Sequence, residues 1–429
     1  MNAPVAPLAS VLTPARERAL VFVVAAVQFV NVLEFMIVMP LGPDFAQALG
    51  FPLDAVGYLG AAYTGAGAVA GLLGALLLDR FDRRRALVVL MFGLVLATVL
   101  AGLARDLREL VAARLVAGAF GGPATSVSIA IVADLVPPAR RGRAMAVVMG
   151  AFSVSSILGV PAALELARLG GWAAPFFAVA VLAAVVTAFA RLALPAMTAH
   201  VAGAAVGPQG LRRLWGLVRR PEAALSLAAV GLSMVTIFLI VPNLSAYLQF
   251  NALWPRERLS VLYLFGGLTS LALMAVAGRA VDRFGATPVV AFAAVAISAV
   301  MAVGVLPGRP AIPTLLFFVL FMGSTSVRGV AVSALSSRVP PPDERAGYQS
   351  AQSAVQHLAG AIGALSSTLV LVERPDKSLA GMEVLGACTI AGTLLVPLCA
   401  RAVERRVRAR EAAIPPSAGS GGETKPSGP

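Results

Sequence analysis

GALLLDRFDRRRAL, Gly74–Leu87, decides the fold. A long apolar run stops at Asp79, gives way to Asp79, Arg80, Asp82, Arg83, Arg84 and Arg85, and a second apolar run begins at once. Charge this dense is excluded from hydrocarbon, so the stretch reads as a tight turn between two membrane-spanning helices. Its positive sign places it in the cytoplasm, because Lys and Arg are retained on that side. A weaker copy, GRAVDRFGATP, occupies Gly278–Pro288, and Asp282 follows Asp79 by 203 residues. Further on, VPPARRGRAM (Val136–Met145) resembles VPPPDERAGYQ (Val339–Gln349), with Pro341 following Pro137 by 204. Two landmarks with nearly one offset indicate a duplicated chain.

Composition agrees. Of 429 residues, 59% are hydrophobic and 13% charged, with a mean hydropathy of +0.86. Soluble domains carry about 25% charged residues, so an ordinary water-soluble fold is excluded. The net charge of +13 lies in short turns between apolar runs, where topology rather than nucleic acid accounts for it. Cys388 and Cys399 both fall in the last apolar run, leaving no disulfide framework or metal cluster. The first apolar run is too long for a signal-peptide core and lacks a small-residue cleavage site, so it reads as an uncleaved span.

Twelve apolar runs are expected to span the bilayer, near 18–41, 55–78, 86–104, 109–133, 143–167, 172–195, 222–249, 258–281, 287–306, 311–337, 345–372 and 379–402. With both termini cytoplasmic, 24 of the 34 Lys and Arg residues fall inside, eight outside, and Arg114 and Arg328 within spans. The expected organisation is a tail (1–17), a six-helix half (18–195), a linker (196–221), a second six-helix half (222–402) and a disordered tail (403–429). The linker's GLRRLWGLVRRP, with Arg212, Arg213, Arg219 and Arg220 beside Leu211, Leu214, Trp215 and Leu217, suits a short helix on the inner membrane surface. Two halves of six spans each enter from the same side, the parallel plan of one large class of secondary transporters.

Ionisable groups inside spans mark function, because each costs several kcal/mol unless it pairs or faces water. In VQFVNVLEFMIVMP, Gln28, Asn31 and Glu34 recur every third residue and keep near one face of span 1. At 1.5 Å per residue, Glu34 lies about 24 Å along an outward-running helix and Arg114 about 8 Å into an inward-running one, so the two can meet in the outer third. Glu34 reads as a proton-titrating group tuned by Arg114, or as a structural carboxylate paired with it. Arg328 on span 10 reads as a structural clamp or a substrate contact. On span 11, Gln349, Gln352 and Gln356, with His357 alongside, form an amide stripe that implies a wet cavity. Gln28, Asn31, Arg328, Gln352, Gln356 and His357 are therefore the expected cavity residues. In span 5, Gly150 and Gly159 permit close helix contact and Pro161 bends the helix. No GxxxxGK, HExxH or GxSxG is present, and His200 and His357 are the only histidines, so nucleotide hydrolysis, zinc chemistry and an enzyme's nucleophile find no support.

At these residues the chain resembles the major facilitator superfamily, over about 18–402, and within it the twelve-helix drug/proton antiporter branch of multidrug and arabinose-type efflux permeases. LLDRFDRRRAL is similar to the family's signature between helices 2 and 3, LVAARLVAGAFGG to its helix-4 signature, MGAFSVSSILGVP to the helix-5 antiporter signature, and EFMIVMPLGPDF to an acidic, proline-ended helix 1. The family's mid-loop glycine is Asp82 here; Asp tolerates a left-handed turn. In the second copy Ala286 and Thr287 replace the basic pair, and Ala162 and Ala163 follow Pro161 where the antiporter signature has glycines.

The resemblance implies an all-α membrane protein working as a rocker-switch exporter of a small amphipathic compound, driven by protons without a cofactor, monomeric, and multi-pass in the bacterial inner membrane. It implies a cytoplasmic gate in which Asp79 caps the amino end of helix 11 near Gly347–Ser350, with Arg80, Arg83 and Arg84 completing the network and Asp282 and Arg283 repeating it weakly. Proton-coupled uptake of a polar metabolite and a non-transporting receptor are the competing expectations.

Overall fold

The computed structural model of the chain describes residues 13–77, 81–197, 215–341 and 344–413. Among the described residues, twelve long helices carry it. The first half holds α1 (Pro14–Met36), α2 (Gly57–Leu77), α3 (Arg83–Gly102), α4 (Leu107–Leu135), α5 (Pro138–Val154, continuing to Gly170) and α6 (Ala174–Ala193). The second holds α7 (Pro221–Phe238, continuing past Leu239 to Asn251), α8 (Leu259–Phe284), α9 (Ala286–Gly304), α10 (Thr314–Ser337), α11 (Arg345–Val370) and α12 (Met382–Ala413). Eleven are long and apolar enough to cross a membrane. The twelfth, α11, has the length at 26 residues, but Gln349, Gln352, Gln356, His357 and its serines dilute its apolar character. It packs against α2 and α7, inside the bundle, where polar side chains are tolerated.

The duplication is visible in the packing. Within the first half α2 and α3 pack on α4, α3 on α6, and α1 on α5 and α6; in the second, α8 and α9 pack on α10, α9 on α12, and α7 on α11 and α12. The halves meet along two seams, α2 with α11 and α5 with α8, which the repeat exchanges for one another. Small residues bring the seams close: a Cβ on Gly57 would fall 2.6 Å from the Ala364 carbonyl, and one on Gly267 would fall 3.2 Å from that of Ser156.

Three local expectations are corrected. Asp82 does not adopt a left-handed turn: at φ −55° it caps α3, accepting from the Arg84 amide at 3.0 Å and from the Met197 amide at 3.0 Å. Its place is set by helix capping, so no glycine is required there. Close packing in α5 falls on Gly159, where a Cβ would meet Leu33 of α1 at 2.5 Å; Gly150 has nothing within 4 Å. Just before Pro161 the helix widens into a π-turn over Ser155–Gly159, which absorbs the proline's missing donor, and Ser155 donates to the Phe29 carbonyl at 3.2 Å. The tail expected to be disordered from 403 is helical to Ala413, because Val403 and Val407 are buried one turn apart and Arg410 donates to the Val339 carbonyl at 2.9 Å.

Of the linker, residues 198–214 lie outside the described residues. Its end shows Arg219 over the Trp215 ring at 4.7 Å and Arg220 paired with Glu344 at 2.7 Å.

Candidate functional site

The polar face of α1 meets α4 and α2 inside the first half. Glu34 is 0% exposed and Arg114 1%. Arg114 Nη1 donates to Glu34 Oε1, and its guanidinium lies 4.7 Å from the centroid of the Tyr63 ring. Tyr63, on α2, packs at 4.9 Å against Phe35, the residue after Glu34. One turn away, Asn31 Nδ2 donates to the Gly121 carbonyl at 2.9 Å and to Thr125 Oγ1 at 2.7 Å.

The glycines of LVAGAFGGP are what let these groups converge. A Cβ on Gly118 would overlap the Tyr63 backbone, and one on Gly121 would sit 2.8 Å from Asn31 Oδ1. The pair is not saturated: Glu34 Oε2, Arg114 Nε, Asn31 Oδ1 and Gln28 Oε1 are buried without a hydrogen-bond partner. An acid that keeps one free oxygen beside a permanent cation has a place to take a proton.

Arg328 is as buried as Arg114 but is partnered differently. Its Nη1 donates to Thr236 Oγ1 at 3.1 Å and Thr393 Oγ1 at 2.9 Å, and its Nη2 to the Ser233 carbonyl at 3.0 Å. These partners clamp α10 to α7 and α12 and include no carboxylate. Gln352 likewise turns into the second half, accepting from Ser336 Oγ at 2.6 Å. His357 lies on the α2 seam, where a Cβ on Gly67 would be 3.2 Å from its Nδ1, and Gln356 is half-buried. The structure thus sets Asn31, Glu34 and Arg114 at one site, with Gln28 buried farther back on the same helix, and places Arg328 and Gln352 in the second half, each with its own partners.

Among the gate residues, Asp79 and Arg80 lie outside the described residues. Arg83 pairs with Asp134 at 2.9 Å and Arg84 donates to the Leu194 carbonyl at 3.3 Å, so among the described residues both tie α3 to its own half. Asp282 and Arg283 are exposed, with Arg283 over the Phe284 ring at 5.2 Å. Tyr63 and Asp134 were missed in the sequence; an aromatic on one helix facing an arginine on another leaves no periodic signal.

Also missed was a cluster that closes the bundle at the end opposite the start of α1 and the end of α12. Arg256 Nε donates to Asp44 at 3.0 Å across the halves, Ser260 Oγ to Glu165 at 2.7 Å, Ser245 Oγ to the Pro40 carbonyl at 2.7 Å, and the Leu53 amide to Glu373 at 2.5 Å. Burial holds the Asp44 carboxyl above its ordinary value, with Arg256 pulling the other way. A carboxyl raised in the closed arrangement and ordinary in an open one binds more protons when closed. Closure at this end is therefore fully supported at acid pH and weakens as pH rises through the raised Asp44 value. With the native cysteines replaced, Ser245→Cys in detergent should react with maleimide more slowly in acid than at neutrality, relative to an exposed reference cysteine. The dependence should vanish with Asp44→Asn. Faster relative reaction in acid would contradict it.

Comparison with known proteins adds the following. The model of the Major Facilitator Superfamily matches residues 24–364. A chloramphenicol resistance protein of Streptomyces lividans is 29% identical over 311 residues, covering 70% of this chain and 77% of its own. A chloramphenicol efflux pump of Mycobacterium tuberculosis is 29% identical over 212 residues, 48% of each chain. Among solved structures, a D-xylose–proton symporter superposes with a TM-score of 0.71 at 15% identity, covering 88% of this chain and 97% of that one, which shows the shared fold.

Proposed function

The chain belongs to the major facilitator superfamily of membrane transporters, and from that premise we propose that it exports a small amphipathic compound in exchange for protons by alternating access across the bacterial inner membrane. The observation that carries the reading is the sealed Glu34–Arg114 pair with its unpartnered Glu34 oxygen. Relatives whose names state chloramphenicol resistance and efflux support the export direction and a compound of that size.

In this mechanism Glu34 takes a proton on its free oxygen, and the pair loses its net attraction. Arg114 then rests on the Tyr63 ring, which can hold a desolvated guanidinium by about 2 kcal/mol. Arg114 itself keeps its charge at every accessible pH. Protonated and deprotonated Glu34 favour different arrangements of α1 against α4, so the proton's differential affinity for the two states biases the rocking of the halves. Asn31 and Gln28, with oxygens free about one and two turns before Glu34 on α1, supply hydrogen-bond acceptors to the compound carried.

The test is flux in proteoliposomes with an imposed proton gradient, using chloramphenicol first and then a panel of amphipathic antibiotics. Compound moving against the proton flow supports exchange, movement with the protons makes the protein an importer, and no movement across the panel defeats the reading. Orientation is checked separately: with Cys388 and Cys399 replaced, Arg309→Cys should be labelled by an impermeant thiol reagent in intact cells and Arg405→Cys protected. The reverse pattern would put the termini outside.

A further inference from the structure

On the outer face of the first half, α3 and α6 leave a groove of about 440 Å³. Val89, Phe92 and Val95 form one wall, and the small Ala184 and Ala188 form the other, with Arg191 at the end. Thr187 does not make this wall polar, since its hydroxyl donates to the Ala183 carbonyl at 2.6 Å. Phe92 is 65% exposed, so the groove opens away from the bundle. The lining covers seven residue steps on each helix, about 10 Å, against roughly 15 Å for the hydrocarbon of one leaflet.

The mouth of the groove carries unbalanced positive charge. Arg84 reaches the Leu194 carbonyl and so fixes the start of α3 beside the end of α6. Arg83 is committed to Asp134. That leaves Arg85, with a side chain 81% exposed and only a 3.9 Å approach to Asp82, and Arg191, which pairs with no acid among the described residues. Neither helix contains Asp or Glu. By contrast, the apolar groove beside Phe29, Leu158 and Leu182 has no charged residue in its lining.

We propose that the α3–α6 groove is a binding site for an anionic phospholipid. One acyl chain lies in the apolar trench, and the phosphate sits between Arg85 and Arg191. Guanidinium forks suit phosphate oxygens, and a basic mouth at the membrane surface above an apolar groove selects for an anionic headgroup. A zwitterionic lipid fills the same trench but gains little at the mouth. The site adjoins the turn between α2 and α3, so its occupant steadies the first turn of α3.

Phe92→Trp, at an exposed position, provides a reporter read as the fluorescence it adds to the unsubstituted protein. In bilayers of mixed composition, brominated phosphatidylglycerol should quench this increment more strongly than brominated phosphatidylcholine at equal mole fraction. The preference should fall about fivefold with Arg191→Gln and be abolished with Arg85→Gln added. Equal quenching by the two lipids, or a preference that survives both substitutions, overturns the proposal. Glycerol 1-phosphate should not displace the brominated lipid; displacement would make the site one for free phosphate and overturn it too. Should the reporter variant fail to fold, lipid retained through purification gives the same answer. Phosphatidylglycerol should stay with the unsubstituted chain and be lost from the double arginine variant, and equal retention overturns the proposal.

Discussion

Glu34→Gln yields a protein that still binds its compound but builds no gradient of it from a proton gradient. The amide keeps the shape of the carboxylate and still offers Arg114 an oxygen, while it cannot take up a proton. The Tyr63 ring at 4.7 Å remains beneath the guanidinium, so the arginine is not wholly stranded. Binding should persist and lose most of its dependence on pH. Accumulation against a gradient should fall to background, and downhill exchange of labelled for unlabelled compound should continue. A stable Glu34→Gln protein that still builds a proton-driven gradient would end Glu34's candidacy and move attention to His357 on the α2 seam. A variant that fails to fold would assign the carboxylate a structural part alone.

Arg114→Met is expected to be the most destabilising single change at the site. It leaves a fully buried carboxylate without its countercharge, a loss of about 3–5 kcal/mol when one member of a buried pair is removed. The flexible thioether fills much of the arginine's volume, so the loss measured is electrostatic rather than a cavity. Thermal unfolding in detergent should show a lower midpoint for Arg114→Met. The double variant Glu34→Gln/Arg114→Met should recover a large part, since the charge left behind is gone too. Additive losses in the double variant would mean that the two residues do not act on each other.

Legibility differed by kind of feature. The long helices, eleven of them long and apolar enough to cross a membrane among the described residues, could be read because hydrocarbon tolerates so few sequences, and the repeat because two turns kept nearly one spacing. Glu34 and Arg114 could be paired from helix rise alone, as both lie near the same end of neighbouring helices. Arg114 and Arg328 look alike in sequence, each a lone arginine in an apolar helix, yet one faces a carboxylate and the other faces Thr236, Thr393 and a carbonyl. That distinction depends on which face of a neighbour is presented, and periodicity does not carry it. The same holds for Arg83, whose partner Asp134 lies 51 residues away at the end of α4. The contacts at the closed end escaped for another reason: they come from short connecting segments, where hydropathy has no pattern to follow.

The glycine face of α4 has a mechanical consequence. Gly118 and Gly121 leave no gap between α4 and the Tyr63 backbone and hydroxyl of α2, where even a methyl group would collide, and one on Gly122 would press on the Gly67 carbonyl at 3.0 Å. Interiors packed this tightly transmit strain rather than absorb it. The α2 helix also forms the seam with α11, so any sliding at that seam reaches the guanidinium of Arg114 without play, as through a gear cut with no backlash. The same fit fixes where the chain can diversify: α4 has almost no freedom to vary on this face.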